Sequence, residues 1–206
     1  MVVNITPDAR AGSIFNLWSV IGIIVPANPA TTKFIIIANP IIIPNKWSLN
    51  QYIDKILQRI NENTNTTTNV GIIIASPSES PPYKYHWIRD SALVMRTIVD
   101  MYRTTKDPVY FQSILNYIEI ESRLQGLKTI SGLGEPKYNI NCTAFNGSWG
   151  RPQNDGPALR GIILFQIIEL FSYKYETIVK QLILPIIIKD LNYLLSNYRK
   201  VSFDIW

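Results

Sequence analysis

The stretch from Gly132 to Arg160, GLGEPKYNINCTAFNGSWGRPQNDGPALR, constrains this chain more than any other. It is dense in Gly, Pro, Asn and Trp. It lacks both the 3.6-residue period of a helix and the two-residue period of a strand, so it reads as a long loop. Isoleucine-rich apolar segments flank it on both sides. Binding residues gather in long, chemically mixed loops held between regular elements. The plainer reading is a surface loop stitched together by turn residues, and the two are separated only by what the rest of the chain supplies.

The flanking segments read as helices. Ser48 is placed to cap a helix running toward Asn61, with Leu49, Tyr52, Ile53, Ile56, Leu57 and Ile60 on one apolar stripe. Asn61 to Asn69 is a polar link, Val70 to Ala75 a short apolar run, and Ser78 to Pro82 a loop. Asp90 and Ser91 can cap a second helix with apolar positions at Leu93, Val94, Ile98 and Met101. That reading places Arg89 and Asp90 where a loop enters a helix. Val109 to Gly126 is a third helix. Gly156 and Pro157 open a fourth through Phe171, and Thr177 to Asn197 a fifth, kinked at Pro185. No strand–helix repeat of a parallel sheet is present, so the expected fold class is all-α. Residues 1–46 stand apart. Their apolar runs, Phe15 to Val25 and Phe34 to Ile43, are broken by Pro26, Pro29, Pro40 and Pro44 and fall short of the ~18 residues of a membrane span. Strands, an extended arm and irregular backbone all fit them.

Composition narrows the function. The 206 residues suffice for one domain, and 47% are apolar, but only 17% are charged, against about 25% in an average soluble domain. A surface that normally faces further protein would account for that. The net charge of +5 is spread over helical segments (Lys174, Lys180, Lys189, Arg199, Lys200), without the clustered basic face of a nucleic-acid binder. One cysteine, Cys142, excludes an internal disulfide, and one histidine, His86, argues against zinc or haem. No metal or cofactor, no nucleic acid and no membrane is expected. Four Asn-X-Ser/Thr triplets, at Asn4, Asn65, Asn141 and Asn146, are frequent by chance in a chain this rich in Asn and Thr.

The chemistry lies in two places. Tyr83, Trp87, Arg89 and Asp90 fall close together in sequence, and Trp149, Arg151 and Asp155 share the long loop. Aromatic faces beside carboxylates and guanidinium groups suit a sugar ring: the aromatic packs on its C–H surface while Asp and Arg bind hydroxyls. Core packing and structural ion pairs explain the same residues equally well. Glycoside hydrolysis needs two carboxylates, and neither composition nor spacing identifies such a pair, although Glu135 and Asp155 are loop carboxylates. Asp90 beside Arg89 is better suited to holding a hydroxyl than to donating a proton, because a neighbouring cation favours the ionised form.

At these residues the sequence resembles a known family. HWIRDSALVMRTIVD (His86 to Asp100) and the Gly132–Arg160 stretch are similar to the fungal glucoamylases of glycoside hydrolase family 15, and the likeness runs from about Gly71 to Trp206. The helix after Ser48 resembles the family's opening helix, whereas residues 1–46 resemble it poorly. The chain thus divides into a poorly matched segment, 1–46, and a partial glucoamylase-like domain, 47–206. The resemblance implies an incomplete (α/α)6 barrel around a funnel-shaped pocket. It also implies exo-hydrolysis of terminal α-1,4-linked glucose from starch or glycogen, with inversion and slower cleavage of α-1,6 links. The implied partner is an α-glucan or maltooligosaccharide, and the intact form is implied to be monomeric. Arg89 and Asp90 match the pair that binds the terminal glucose, Trp87 and Tyr83 the lining and floor of its pocket, and Trp149 the platform near the next glucose. Gly150 and Arg151 continue that wall, Asp155 and Gly156 shape it, and Trp206 matches the tryptophan before the general acid. His86 and Ile205 depart mildly from the family pattern.

In the family the acid directly follows that tryptophan, and the base lies far downstream. These 206 residues are therefore expected to carry neither, to show only about five of the barrel's twelve helices, and to be catalytically inactive and marginally folded by themselves. The alternative expectation is a non-catalytic glucan-binding or regulatory remnant. Family members occupy secreted, vacuolar or sporulation-related compartments. The N-terminus, which lacks a standard signal-peptide pattern, does not choose among them.

Overall fold

The computed structural model describes residues 49–64 and 69–204. The expectations for residues 1–46, Ser48, Ile205 and Trp206 lie outside the described residues, as do the side chains of Leu49 and Tyr52. In order, the elements are α1 (Leu49–Thr64), β1 (His86–Trp87), α2 (Ile88–Thr105), α3 (Pro108–Leu124), a 3-10 turn at Gly132–Gly134 and β2 (Lys137–Tyr138). Then follow α4 (Asp155–Phe171), a 3-10 turn at Ser172–Tyr175, α5 (Glu176–Ile178), a π-helical turn at Val179–Ile183 and α6 (Leu184–Asn197). The fold is predominantly helical, with one two-residue antiparallel ladder between β1 and β2.

The helices form because their apolar residues repeat at helical spacing and meet one another. Ile88, Ala92, Met95 and Val99 bury one stripe of α2, which packs chiefly on α4 and α3. The link from α2 to α3 is two residues long. Lys106 closes α2 in the left-handed conformation (φ 58°), with its N–H on the Tyr102 carbonyl. Asp107 caps α3, its carboxylate accepting from Val109 N at 2.9 Å, and Pro108 takes the first helical turn. So short a link makes the two helices antiparallel neighbours. Ile73, Ile98, Ile114, Tyr117, Leu164, Ile167, Phe171, Ile183 and Ile187 form the main core. A smaller cluster of Ile72, Ile74, Ile88, Ile120, Leu124, Tyr138 and Cys142 lies under the long loop.

Two expectations need correction, the cap of α2 and the kink at Pro185. Asp90 and Ser91 do not cap α2. The helix begins two residues earlier, behind Trp87, because β1 feeds straight into it, and the Ser91 hydroxyl instead donates to the Ile88 carbonyl at 3.0 Å. The helix expected after Ser48 is present as α1, with Ile60 packed on the core and Ile53 and Leu57 exposed. Pro185 does not kink a continuous helix. The π-helical turn precedes it and absorbs the missing N–H and the ring's bulk, so that the proline sits in the first turn of α6.

Candidate sugar-binding site

The β1–β2 ladder builds the site. Its register sets Trp87 opposite Lys137 and His86 opposite Tyr138, which brings the start of α2 against the long loop. Trp87 is the hub. Its ring centre lies 6.3 Å from Tyr83 and 5.3 Å from Trp149, the latter an edge contact at 80°. Trp87 is buried while Trp149 is 42% exposed, so the pair presents one indole outward on a fixed support. Arg89 lies over the Trp87 ring at 5.7 Å.

Arg89 joins the two sequence regions. Its Nη1 donates to Asp155 Oδ2 at 2.8 Å and to Gln153 Oε1 at 3.4 Å, and its Nη2 lies 3.4 Å from Asp90 Oδ2. Burial pulls the guanidinium down, but Asp90 and Asp155 outweigh it and hold it above its ordinary value. Burial pushes the Asp90 carboxyl up, as does Asp155, with Arg89 opposing. Two polar atoms in this constellation, Trp87 Nε1 and Asp155 Oδ1, are buried without a hydrogen-bond partner. Each unpaired group costs about 1–3 kcal/mol until something satisfies it.

The long loop is held by its own ion pair. Glu135 is fully buried and accepts Arg151 Nε at 3.0 Å and the Ser131 hydroxyl at 3.1 Å. Arg151 also donates to the Gly147 carbonyl at 3.0 Å and the Phe145 carbonyl at 3.4 Å, which folds the Trp149 segment back on itself. Two glycines sit where a neighbour comes close, so that any side chain there makes the neighbour give by a few tenths of an ångström. A Cβ at Gly150 would lie 3.1 Å from the Phe203 ring, and one at Gly156 would lie 3.1 Å from Ile88 Cβ, where α4 meets α2.

The eight described residues expected at the site form one connected group. Tyr83, Trp87 and Trp149 touch ring to ring. Arg89, Asp90 and Asp155 form the ion cluster. Gly150 joins through its carbonyl, which accepts Gln153 Nε2 at 3.3 Å, and Arg151 through Glu135 and Phe145. Trp206, the ninth, lies outside the described residues.

Sequence reasoning missed several members. Asp204 Oδ1 accepts the backbone N–H groups of Asn154 (2.5 Å) and Asp155 (3.0 Å), a carboxylate cap on α4 supplied from 49 residues further along the chain. Gln153 bridges Arg89 to Gly150, and Lys137 lies among the aromatic rings. Beneath the site, Arg160 on α4 donates to Asp190 at 2.7 and 2.6 Å and to Glu121 at 2.8 Å. His86 Nδ1 accepts from Ile73 N at 3.0 Å, so its Nε2 carries the proton shared with Glu121 at 2.9 Å. None of these carries a single-sequence signal, because each depends on a partner brought in by tertiary structure. Among the described residues no group of three or more His, Cys, Asp or Glu could hold a metal ion, and no helix is long and apolar enough to cross a membrane.

Comparison with known proteins gives this arrangement a context. The model of glycosyl hydrolases family 15 matches residues 50–206. Glucoamylase-1 of Schizophyllum commune is 44% identical over 145 residues, covering 66% of this chain and 25% of its own length. Glucoamylase-1 of Arthroderma benhamiae is 39% identical over 147 residues, covering 68% of this chain and 24% of its own length. A solved glycoside hydrolase family 15 glucoamylase from Hypocrea jecorina superposes with a TM-score of 0.69 at 37% identity, covering 77% of this chain and 30% of that one. The chain thus spans about a quarter of the length of the curated relatives it matches. It belongs to glycosyl hydrolases family 15.

Proposed function

We propose that this chain forms the first wall of a glucoamylase pocket: it binds the non-reducing end of an α-1,4-glucan such as starch or glycogen. In the whole enzyme it would serve the release of terminal glucose with inversion. The helices described here are then the opening part of an (α/α)6 barrel. The observation that carries the reading is the coupled Trp87–Trp149 pair beside the Arg89–Asp90–Asp155 cluster, with unpaired polar atoms on Trp87 and Asp155. Stacked aromatic faces take the C–H surface of glucose, and the acceptors and donors take its hydroxyls.

The same geometry favours binding without turnover by these 206 residues. Asp90 and Asp155 are both engaged by Arg89, and Glu135 is sealed against Arg151. Carboxylates pinned by arginine serve as acceptors; an inverting hydrolase needs a proton donor and a base about 6.5–9.5 Å apart across the bond. Titration calorimetry of the 206-residue chain with acarbose and maltose tests the reading. Saturable binding that Arg89→Ala abolishes, with no glucose released from maltose, is expected. Absence of saturable binding overturns the sugar-binding reading, and glucose release overturns the assignment of a binding role alone.

A further inference from the structure

The ammonium of Lys137 occupies an aromatic cage. Its Nζ lies 3.7 Å from the ring centre of Trp149, 4.3 Å from Phe145, 4.5 Å from Tyr85 and 4.8 Å from Trp87. All four distances are well inside the ~6 Å range of cation–π attraction. Lys137 is 2% exposed, and its Nζ has no hydrogen-bond partner among the described residues. A lysine enclosed to this degree normally finds a carboxylate; here Glu135, the carboxylate whose charge it feels, is taken by Arg151. The cage is assembled from three separate parts of the chain: β1 supplies Trp87, the preceding segment Tyr85, and the long loop Phe145 and Trp149. Among the described residues, Lys137 is the cation that reaches all four rings.

The geometry points to Lys137 as a positioning residue: its ammonium is the pin that fixes the exposed Trp149 indole against Trp87. The platform's orientation then depends on a charge that never touches the sugar. This rests on the sugar-binding reading for its purpose, but not for its existence. Among the described residues the aromatic ring packed against Trp149 is Trp87, an edge contact that leaves the indole 42% exposed. The charged and titratable groups facing the cage are Tyr85 itself, Arg151 and Glu135 from the loop, and Arg89 and Tyr83 around Trp87. His86 belongs to the buried network and bonds to Glu121. Burial and then Arg151 bring the lysine down to about 8, with Glu135 opposing, so the pin is withdrawn within an accessible pH range.

The test labels the 206-residue chain with 5-fluorotryptophan and assigns the fluorine resonances of Trp87 and Trp149 with Trp87→Phe and Trp149→Phe. Both resonances are expected to move together with a midpoint near pH 8. They should stay flat over that range in Lys137→Met and be retained at their low-pH positions in Lys137→Arg. Ionisation of Tyr85 would instead give a midpoint near 10 that persists in Lys137→Met. In Lys137→Ala, tetramethylammonium should refill the cage and restore the parent signals. Acarbose affinity should fall about three- to thirtyfold in Lys137→Met while the melting temperature holds or rises, a split that a merely structural lysine would not give. Identical Trp149 resonances in parent and Lys137→Met at low pH overturn the proposal. A parent chain that responds in the fluorine experiment but does not bind acarbose leaves the pin standing and overturns the sugar-binding reading.

Discussion

The Asp90 carboxylate is buried in the first turn of α2, beside Arg89 and within the field of Asp155. Burial lifts its folded-state pKa above the unfolded value, so between those two values the native state holds more protons than the unfolded chain. Its contribution to stability is therefore fully present below the unfolded pKa and is lost as pH rises through the folded one. At neutral pH the ionised group costs stability, which is what the proposed binding role would ask of it. Asp90→Asn is expected to lower acarbose affinity at least about tenfold, the loss of a charge-assisted hydrogen bond, while leaving the melting temperature unchanged or higher. Calorimetry beside thermal denaturation checks both halves; a variant that melts lower and binds normally would assign Asp90 to folding instead. The contacts of Arg89 with Asp90 and Trp87 were legible in the sequence, because the three residues lie within four positions of one another. Asp204 and Lys137 were not, since their partners lie 49 and 50 residues away.

Elements show the same division. Helices α2, α3 and α4 could be read from apolar spacing and, for α4, from Gly156 and Pro157. The β1–β2 ladder could not, because two residues carry no period, yet it sets the register of the whole site. The π-helical turn before Pro185 was also hidden: proline announces a disturbance, and tertiary packing decides its form. What joins the elements is the buried network of Arg160 with Glu121 and Asp190, which ties α4 to α3 and α6. Burial pulls Arg160 down, but its hydrogen bonds to Asp190 and Glu121 reverse this and hold it well above its ordinary value. Arg160→Met would leave two carboxylates without their cation in the interior. A loss of about 3–5 kcal/mol is expected, read as a drop in the urea midpoint. A loss below about 1 kcal/mol would show that the carboxylates protonate and relax instead.

On the scale of the whole molecule, the unusual property is how much apolar surface faces water. Ile162 and Phe165 on α4 and Ile188, Leu191 and Leu195 on α6 are exposed, although α4 is apolar on nearly every side. A helix apolar all round is built to be covered on all sides, and contiguous exposed patches drive association. The 206-residue chain should therefore bind a hydrophobic dye and self-associate. Ile188→Lys with Leu195→Lys should shift it toward monomer in analytical ultracentrifugation without lowering its melting temperature, since neither side chain is in the core. Association unchanged by both lysines would place the adhesive surface elsewhere.

The Asp204 cap has a dimensional consequence. One carboxylate oxygen grips two successive amides at the head of α4, Phe203 N bonds the Pro152 carbonyl at 2.8 Å, and the Phe203 ring lies on Gly150. The segment after α6 is thus measured against the same origin as the Arg89–Asp155 pair. Because Phe203 and Asp204 are themselves held at the head of α4, an extra residue at the exposed Val201 would be taken up as a bulge, and the point from which the chain leaves Asp204 would stay where it is.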